Sequence, residues 1–338
     1  MRLSNLNLIT YYMKKIGKII VYLVIVLAVL VGGLLSFVKF GLPNVGDAPE
    51  LKVDLTPQRI ERGKYLANNV AVCIDCHSTR DWTKFSGPLT SNRFGIGGEK
   101  FGKEAGLPGT IYSANITPHN LGTWSDGELF RAITTGVKKD GSAIFPIMPY
   151  AAYGKMDKED IYSIIAYLRT LPAQQSSTPE RELDFPVNFI VNTIPAKADP
   201  HPIPATSKQM EYGAYIVNAS ACFECHTNVN DKGEHLVGVD FAGGREFKLP
   251  NGSVFTANIT PDKQTGIGQW TKEQFVARFK AFADSHTMQP VKGNEFQTVM
   301  PWTMYGGMKV QDLEAIYTYL KSLKPIKNQV TKFVPVKG

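Results

Sequence analysis

The sequence predicts a mainly α-helical chain in which one amino-terminal transmembrane helix precedes two copies of a small domain. Three observations lead there: an apolar run near the amino terminus, a set of motifs that recurs in the same order about 150 residues later, and helical spacing of apolar residues at the end of each copy.

From Ile19 to Phe37, 19 consecutive residues carry no charge and are mostly Ile, Val and Leu, enough to cross a hydrocarbon core. Lys14, Lys15 and Lys18 precede the run, which puts the amino terminus in the cytoplasm and the bulk of the chain outside. A cleaved secretory signal is the competing reading. Its apolar region is ordinarily shorter, roughly 7 to 15 residues, and it ends in a small-x-small site that Gly46 and Ala48 match poorly. An uncleaved anchor over residues 1–40 is therefore expected, in the inner membrane, single-pass, with the remainder in the periplasm. Of the formal charge of +7, five positive charges (Arg2, Lys14, Lys15, Lys18, Lys39) belong to that segment, leaving +2 for the other 298 residues. A nucleic-acid partner has no electrostatic footprint here.

The four cysteines form two complete motifs, Cys73-Ile74-Asp75-Cys76-His77 and Cys222-Phe223-Glu224-Cys225-His226. C-x-x-C-H is the attachment pattern of c-type haem: two thiols one helical turn apart reach neighbouring vinyl groups, and the following imidazole turns onto the iron. A disulfide or zinc reading would require the trailing histidine twice by chance, and in an exported chain. Two covalently bound haems c are expected, with His77 and His226 as proximal ligands.

Both motifs open a longer repeat. Ala114-Asn115-Ile116-Thr117-Pro118 returns as Ala257-Asn258-Ile259-Thr260-Pro261, Trp124 as Trp270, and the block from Met148 to Met156 as that from Met300 to Met308. This is duplication of a whole domain, since the period is far too long for a solenoid. The expected boundaries are 41–171 for the first domain, 172–206 for a linker and 207–338 for the second.

Within each copy, Thr56-Pro57 and Ser207 are expected to start helices leading into the motifs, with Gly63 and Gly213 letting each cross the last helix closely. Ser125 to Glu128 and Thr271 to Gln274 have the spacing of capping boxes. Ile161, Ile164, Ile165 and Leu168 fall on one helical face, as do Leu313, Ile316, Tyr317 and Leu320; Pro172 and Pro325 end these helices. No alternating strand pattern persists beyond the Ala-Asn-Ile-Thr-Pro blocks. The linker holds seven prolines, so neither helix nor interior strand is expected in it, and Phe185, Val187, Phe189, Ile190 and Val191 are expected to pack back onto a domain. Trp124 and Trp270 suit either a haem propionate or packing beside a helix cap. Pro88 reads as a turn former, and His119, His201, His235 and His286 as surface residues.

In combination, the Ala-Asn-Ile-Thr-Pro block, the Gly-x-Trp-Ser/Thr after it, the Met-Pro-aromatic block and the closing Tyr-Leu helix resemble the cytochrome c subunits of membrane-bound alcohol, gluconate and sorbitol dehydrogenases, over roughly residues 55 to 325. Those subunits usually carry three haem motifs where this chain has two. The resemblance implies two tandem class I cytochrome c domains with His/Met iron, taking electrons from a periplasmic dehydrogenase. Among nine methionines, Met148 and Met300 are the expected distal ligands: each precedes a proline that bars regular helix at the methionine, and they lie 71 and 74 residues after His77 and His226. Met156 and Met308 suit packing at a helix start.

The expected function is single-electron transfer at the outer face of the membrane, from a periplasmic or membrane dehydrogenase towards a terminal oxidase, in a respiratory chain. Redox proteins and the membrane are the expected partners, and no independent catalysis is required of the chain. A two-haem subunit of a haem-copper oxidase is the alternative. A two-haem peroxidase is a further reading, but one of its irons would be expected to lose its methionine.

Overall fold

The computed structural model describes residues 2–90 and 93–336; Met1, Ser91, Asn92, Lys337 and Gly338, which include the expected outer bounds of the anchor and second domain, lie outside the described residues. Helix α1 (Arg2–Phe40) is continuous, and its apolar portion Thr10–Phe40, 31 residues, is long and apolar enough to cross a membrane. At 1.5 Å per residue that portion extends about 46 Å.

The first repeat contains α2 (Pro57–Tyr65), α3 (Cys73–Cys76), α4 (Pro118–Leu121), α5 (Asp126–Thr135), α6 (Tyr150–Tyr153) and α7 (Lys158–Thr170). After the short α8 (Val187–Ile190), the second follows the same plan with α9 (Gln209–Ala219), α10 (Cys222–His226), α11 (Lys272–Lys280), α12 (Trp302–Tyr305) and α13 (Val310–Ser322). The capping signals act as their spacing predicts. Thr56 accepts from the Arg59 amide ahead of Pro57, and both capping boxes are formed, Ser125 with Glu128 and Thr271 with Gln274. Helix α9 begins one residue later than a Ser207 cap would start it, with Lys208 at its cap.

Two antiparallel three-stranded sheets accompany the helices: β1 (Lys100–Phe101), β2 (Gly109–Tyr112) and β3 (Glu182–Leu183), then β4 (Glu246–Leu249), β5 (Gly252–Phe255) and β6 (Phe333–Pro335). Strands of two to four residues are too short to carry a visible alternation. Each central strand, β2 or β5, runs into the Ala-Asn-Ile-Thr-Pro block.

The linker corrects one expectation. It is helical over α8 and a 3₁₀ turn at Val191–Thr193, because Pro186 sits at the helix cap, where a missing N–H costs nothing. Only Val191 of the five apolar residues is fully buried; Phe185 and Ile190 are exposed. The turn lies against the end of α1, where the Asn192 amide donates to the Val38 carbonyl at 3.4 Å.

In each repeat the first helix crosses the last at a glycine. A Cβ on Gly63 would stand 1.7 Å from the Ser163 carbonyl oxygen, and one on Gly213 would stand 2.0 Å from that of Ala315. Both obstacles are backbone and cannot swing aside. Gly→Ala in an open helix stabilises by about 1 kcal/mol, so the sign of the effect is diagnostic. Gly63→Ala and Gly213→Ala are each expected to destabilise by about 1–3 kcal/mol through overpacking, read as a lower urea midpoint; an unchanged or raised midpoint would contradict the crossing.

The repeats pack on one another through reciprocal contacts. The Tyr65 hydroxyl donates to Asp312 and accepts from the Lys309 amide, while its counterpart Tyr215 donates to Asp160 at 2.6 Å and accepts from the Asp157 amide at 3.2 Å. Both carboxylates are buried, Asp160 to 6% and Asp312 to 2% exposure. Each has a second partner from its own repeat: Arg62 grips Asp160 through two bonds of 2.8 Å, and Tyr212 donates to Asp312 at 2.8 Å. The Asn218 amide also crosses the interface, to the Ala152 carbonyl at 2.8 Å.

Candidate functional site

Helices α3 and α10 each place two cysteines one turn apart with the histidine next in line, and none of the four cysteines is in a disulfide. The residue before each first cysteine has a left-handed backbone, Val72 at φ 45° and Ala221 at φ 50°. This conformation is a genuine outlier for a β-branched residue such as Val72, and such strain concentrates at functional sites. The sequence carries no signal for it. Upstream of Val72 the chain also makes a π-helical turn at Leu66–Val70, closed by the Ala71 amide on the Leu66 carbonyl at 2.8 Å.

The Ala-Asn-Ile-Thr-Pro blocks hold the histidines. Nδ1 of His77 lies 2.7 Å from the Ala114 carbonyl oxygen, and Nδ1 of His226 lies 2.7 Å from that of Ala257. A carbonyl only accepts, so Nδ1 carries the proton and Nε2 presents its lone pair. Burial pushes both imidazoles below their ordinary pKa, against the pull of the carbonyl, and keeps them neutral. Pro88 has no part in this: its carbonyl accepts from the Asp81 amide at 2.8 Å, as a turn former's would.

The rest of each block fixes that alanine. Asn115 accepts from the amide and hydroxyl of Thr117 and donates to the Gln174 carbonyl, just past α7. Asn258 does the same with Thr260 and the Ile326 carbonyl, just past α13. The chain leaving each motif returns through glycine: the Gly97 amide bonds the His77 carbonyl at 2.8 Å and the Gly243 amide the His226 carbonyl at 2.7 Å. At φ +70° and +72°, with a Cβ meeting the backbone of Ala114 or of Thr256 and Ala257, neither position accommodates a side chain.

The Met-Pro segments lead into α6 and α12. Met148 and Met300 are half-buried, each immediately before a proline that caps α6 or α12. The Tyr153 hydroxyl, on α6, donates to the Ala71 carbonyl at 2.7 Å, and its counterpart Tyr305 to the Ser220 carbonyl at 2.7 Å. Each methionine segment is thereby tied to the residues just ahead of its own repeat's first cysteine. Met156 and Met308 lie fully buried in the hydrophobic core, as their place at a helix start predicts.

The two motifs lie on opposite sides of the inter-repeat interface and close to it. Burial pushes Tyr153 well above the ordinary tyrosine range, and the thiols near enough to add to this are Cys73, Cys76 and, from the other repeat, Cys225. Tyr305 is likewise raised, first by burial, with Cys222, Cys225, Tyr153 and Asp75 as its titratable neighbours. The surroundings differ in charge. Buried Asp75 pairs with Arg80 at 3.0 Å, and Arg80 with Glu99 at 3.0 Å, whereas Arg245 bonds the backbone of Glu224 and the Glu224 side chain faces His235 at 3.4 Å. His235 is therefore not a plain surface residue: it is half-buried with its ring 4.6 Å from that of Phe223. His119, His201 and His286 are exposed. Trp124 packs on the core beside the α5 cap, as the packing reading has it, whereas Trp270 is exposed, with its backbone carbonyl accepting from the Tyr317 hydroxyl.

These features fit a covalently held haem: paired free thiols, with Cys76 accessible at the surface, and an imidazole whose outer nitrogen is oriented by a fixed carbonyl.

No protein-family model matches the chain. Curated relatives do. The cytochrome c subunit of a quinone alcohol dehydrogenase from Gluconacetobacter polyoxogenes is 28% identical over 285 residues, covering 79% of this chain and 56% of that one. The fructose dehydrogenase cytochrome subunit of Gluconobacter japonicus is 29% identical over 282 residues, 78% of this chain and 52% of that one. A diheme cytochrome c-type protein of Cereibacter sphaeroides is 28% identical over 264 residues, 75% and 83% of the two chains. The chain thus spans little more than half the length of the dehydrogenase subunits it matches. Its resemblance to cytochrome c subunits of dehydrogenases, and through them to haem c proteins of electron transport, stands on these relatives.

Proposed function

We propose that the chain is a membrane-anchored diheme cytochrome c of two tandem class I domains, 41–171 and 207–338, joined by 172–206, that relays single electrons from a dehydrogenase towards a terminal oxidase. The observation that supports this best is the reciprocal packing of the repeats, which sets both C-x-x-C-H motifs beside one interface with Tyr153 and Tyr305 buried between them. A relay needs its two centres held at a fixed short separation, and an interface that joins the two motif-bearing repeats supports that reading.

Cys73 and Cys76, with Cys222 and Cys225, make the thioether attachments. His77 and His226 would hold the iron through Nε2, with Met148 and Met300 as its other protein ligands. Haem, when bound, supplies the one-electron couple. The protein's part is to fix the ligands, exclude water and set the charge around each centre. A methionine ligand at each centre would leave no coordination position open, which suits a chain that moves electrons without binding a substrate. The partners implied by the relatives, a dehydrogenase as donor first among them, carry over as part of this proposal. Helix α1 serves as a single-pass anchor in the inner membrane and leaves the repeats in the periplasm; its contact with the linker turn at Asn192 supports a fixed attachment.

Denatured protein is expected to retain two haems per chain, because both motifs make thioether bonds. A pyridine haemochrome assay after acid-acetone extraction checks this, and a value of one or zero would overturn the two-centre reading.

A further inference from the structure

We propose that Ser86, in the first repeat, is a positioning residue for Met300 in the second. The inference rests on the reading of Met300 as an iron ligand.

Ser86 is 1% exposed and has φ +67°, an uncommon backbone for a residue with a side chain. Its hydroxyl donates to the Met300 carbonyl at 2.6 Å and accepts from the Trp302 amide at 3.1 Å. Pro301, between them, has no N–H to offer. One hydroxyl from the other repeat therefore clamps both sides of the proline that shapes the ligand loop, alongside the Trp302 amide's own bond to the Met300 carbonyl at 2.8 Å.

The clamp is itself held across the interface. Gln297 accepts from the Ser86 amide at 2.8 Å and donates to the carbonyls of Trp82 and Lys84 at 3.1 and 2.8 Å. The Phe85 amide bonds the Gln289 carbonyl at 2.9 Å and the Val291 amide the Thr83 carbonyl at 2.8 Å. The Phe85 ring packs 5.8 Å from Phe282 and 5.9 Å from Phe296. A buried, fully satisfied polar network of this kind specifies one arrangement.

The first repeat receives nothing equivalent. The Met148 carbonyl accepts from the Tyr150 amide at 2.8 Å, and among the described residues no side chain of the second repeat bonds it. The corresponding loop of the second repeat closes early, in a bridge between Val229 and His235. Among the described residues, the Met148 carbonyl is therefore bonded within its own repeat and the Met300 carbonyl by both repeats, so the first repeat governs how firmly the second centre keeps its thioether.

The test uses the full-length, haem-loaded protein with Ser86→Ala and Ser86→Gly. Glycine tolerates φ +67°, so it removes the hydroxyl without the strain that a misfolded variant would reflect. Both variants are expected to lose up to half of the ferric sulfur-to-iron absorption band, and to lower the midpoint potential of one haem while leaving the other unchanged. Two bands and two potentials as in the wild type, in Ser86→Gly, would overturn the proposal when Met300→His in parallel removes half the band. A Met300→His variant that keeps the whole band would overturn the ligand reading, and this inference with it.

Discussion

Replacing Met148 or Met300 by histidine is expected to lower the midpoint potential of one haem, by on the order of 0.1 V or more, and to leave the other near its wild-type value. The cause lies in the ligand atom. A thioether is a soft, weak σ-donor that favours the ferrous state, whereas a second imidazole donates more strongly and favours the ferric state. Axial ligation as a whole spans roughly 0.8 V in haem proteins, so exchange of one ligand outweighs any single charge change at the surface. At about 59 mV per tenfold for one electron, the shift reverses the direction of flow between two centres of similar potential. Spectroelectrochemical titration of each variant reads it, together with loss of half the ferric sulfur-to-iron band. The competing candidates are Met156 and Met304, which are buried in the core rather than half-buried before a proline. If Met156→His or Met304→His moved a potential and the named pair did not, the ligand assignment would be wrong.

What was legible in the sequence is what local chemistry dictates. The capping boxes, the helix faces ending at Pro172 and Pro325, and the glycine crossings at Gly63 and Gly213 all require particular residue types at short spacing, and a second copy of each doubles the signal. The C-x-x-C-H pairs belong to the same class. What was not legible depends on contacts distant in sequence. Ala114 and Ala257 bear no mark as acceptors for the histidines, because a backbone carbonyl has no side-chain signature. The π-helical turn before Val72 and the left-handed Val72 itself break local preference, so propensity points away from them. Ser86 and Gln297 look like ordinary loop residues until the repeats are docked, more than 200 positions apart in the chain. Short strands such as β3 exist only because a neighbour is already in place. The repeat could still have signalled the interface: Tyr65 with Tyr215, and Asp160 with Asp312, are identical pairs at repeat-equivalent positions, the mark of a self-complementary surface.

That surface carries the second large effect. Asp160→Ala is expected to destabilise the chain by about 3 kcal/mol, the lower end of the range for breaking a buried ion pair, because the Arg62 side chain it strands is 26% exposed and partly rehydrates. The Tyr215 hydroxyl loses its acceptor in the same step. Asp312→Ala strands the hydroxyls of Tyr65 and Tyr212 but no cation, so its cost is expected to be smaller, about 1–3 kcal/mol. Burial, followed by the carboxylates they bond, pushes Tyr65, Tyr212 and Tyr215 above the ordinary tyrosine pKa. With folded values raised above unfolded ones, the stability they contribute is fully present below about pH 10 and falls as pH rises beyond it, since the unfolded chain ionises first. Urea unfolding from pH 7 to 11 tests both points. The wild type is expected to lose stability only above about pH 10, and Asp160→Ala to start lower while its slope there is shallower, one tyrosine having lost its carboxylate partner. Because the same contacts hold the two motifs at one interface, Asp160→Ala should also slow electron exchange between the haems in a rapid-reduction experiment. A variant with wild-type stability and an unchanged exchange rate would show that the reciprocal tyrosine–aspartate pairs do not join the repeats.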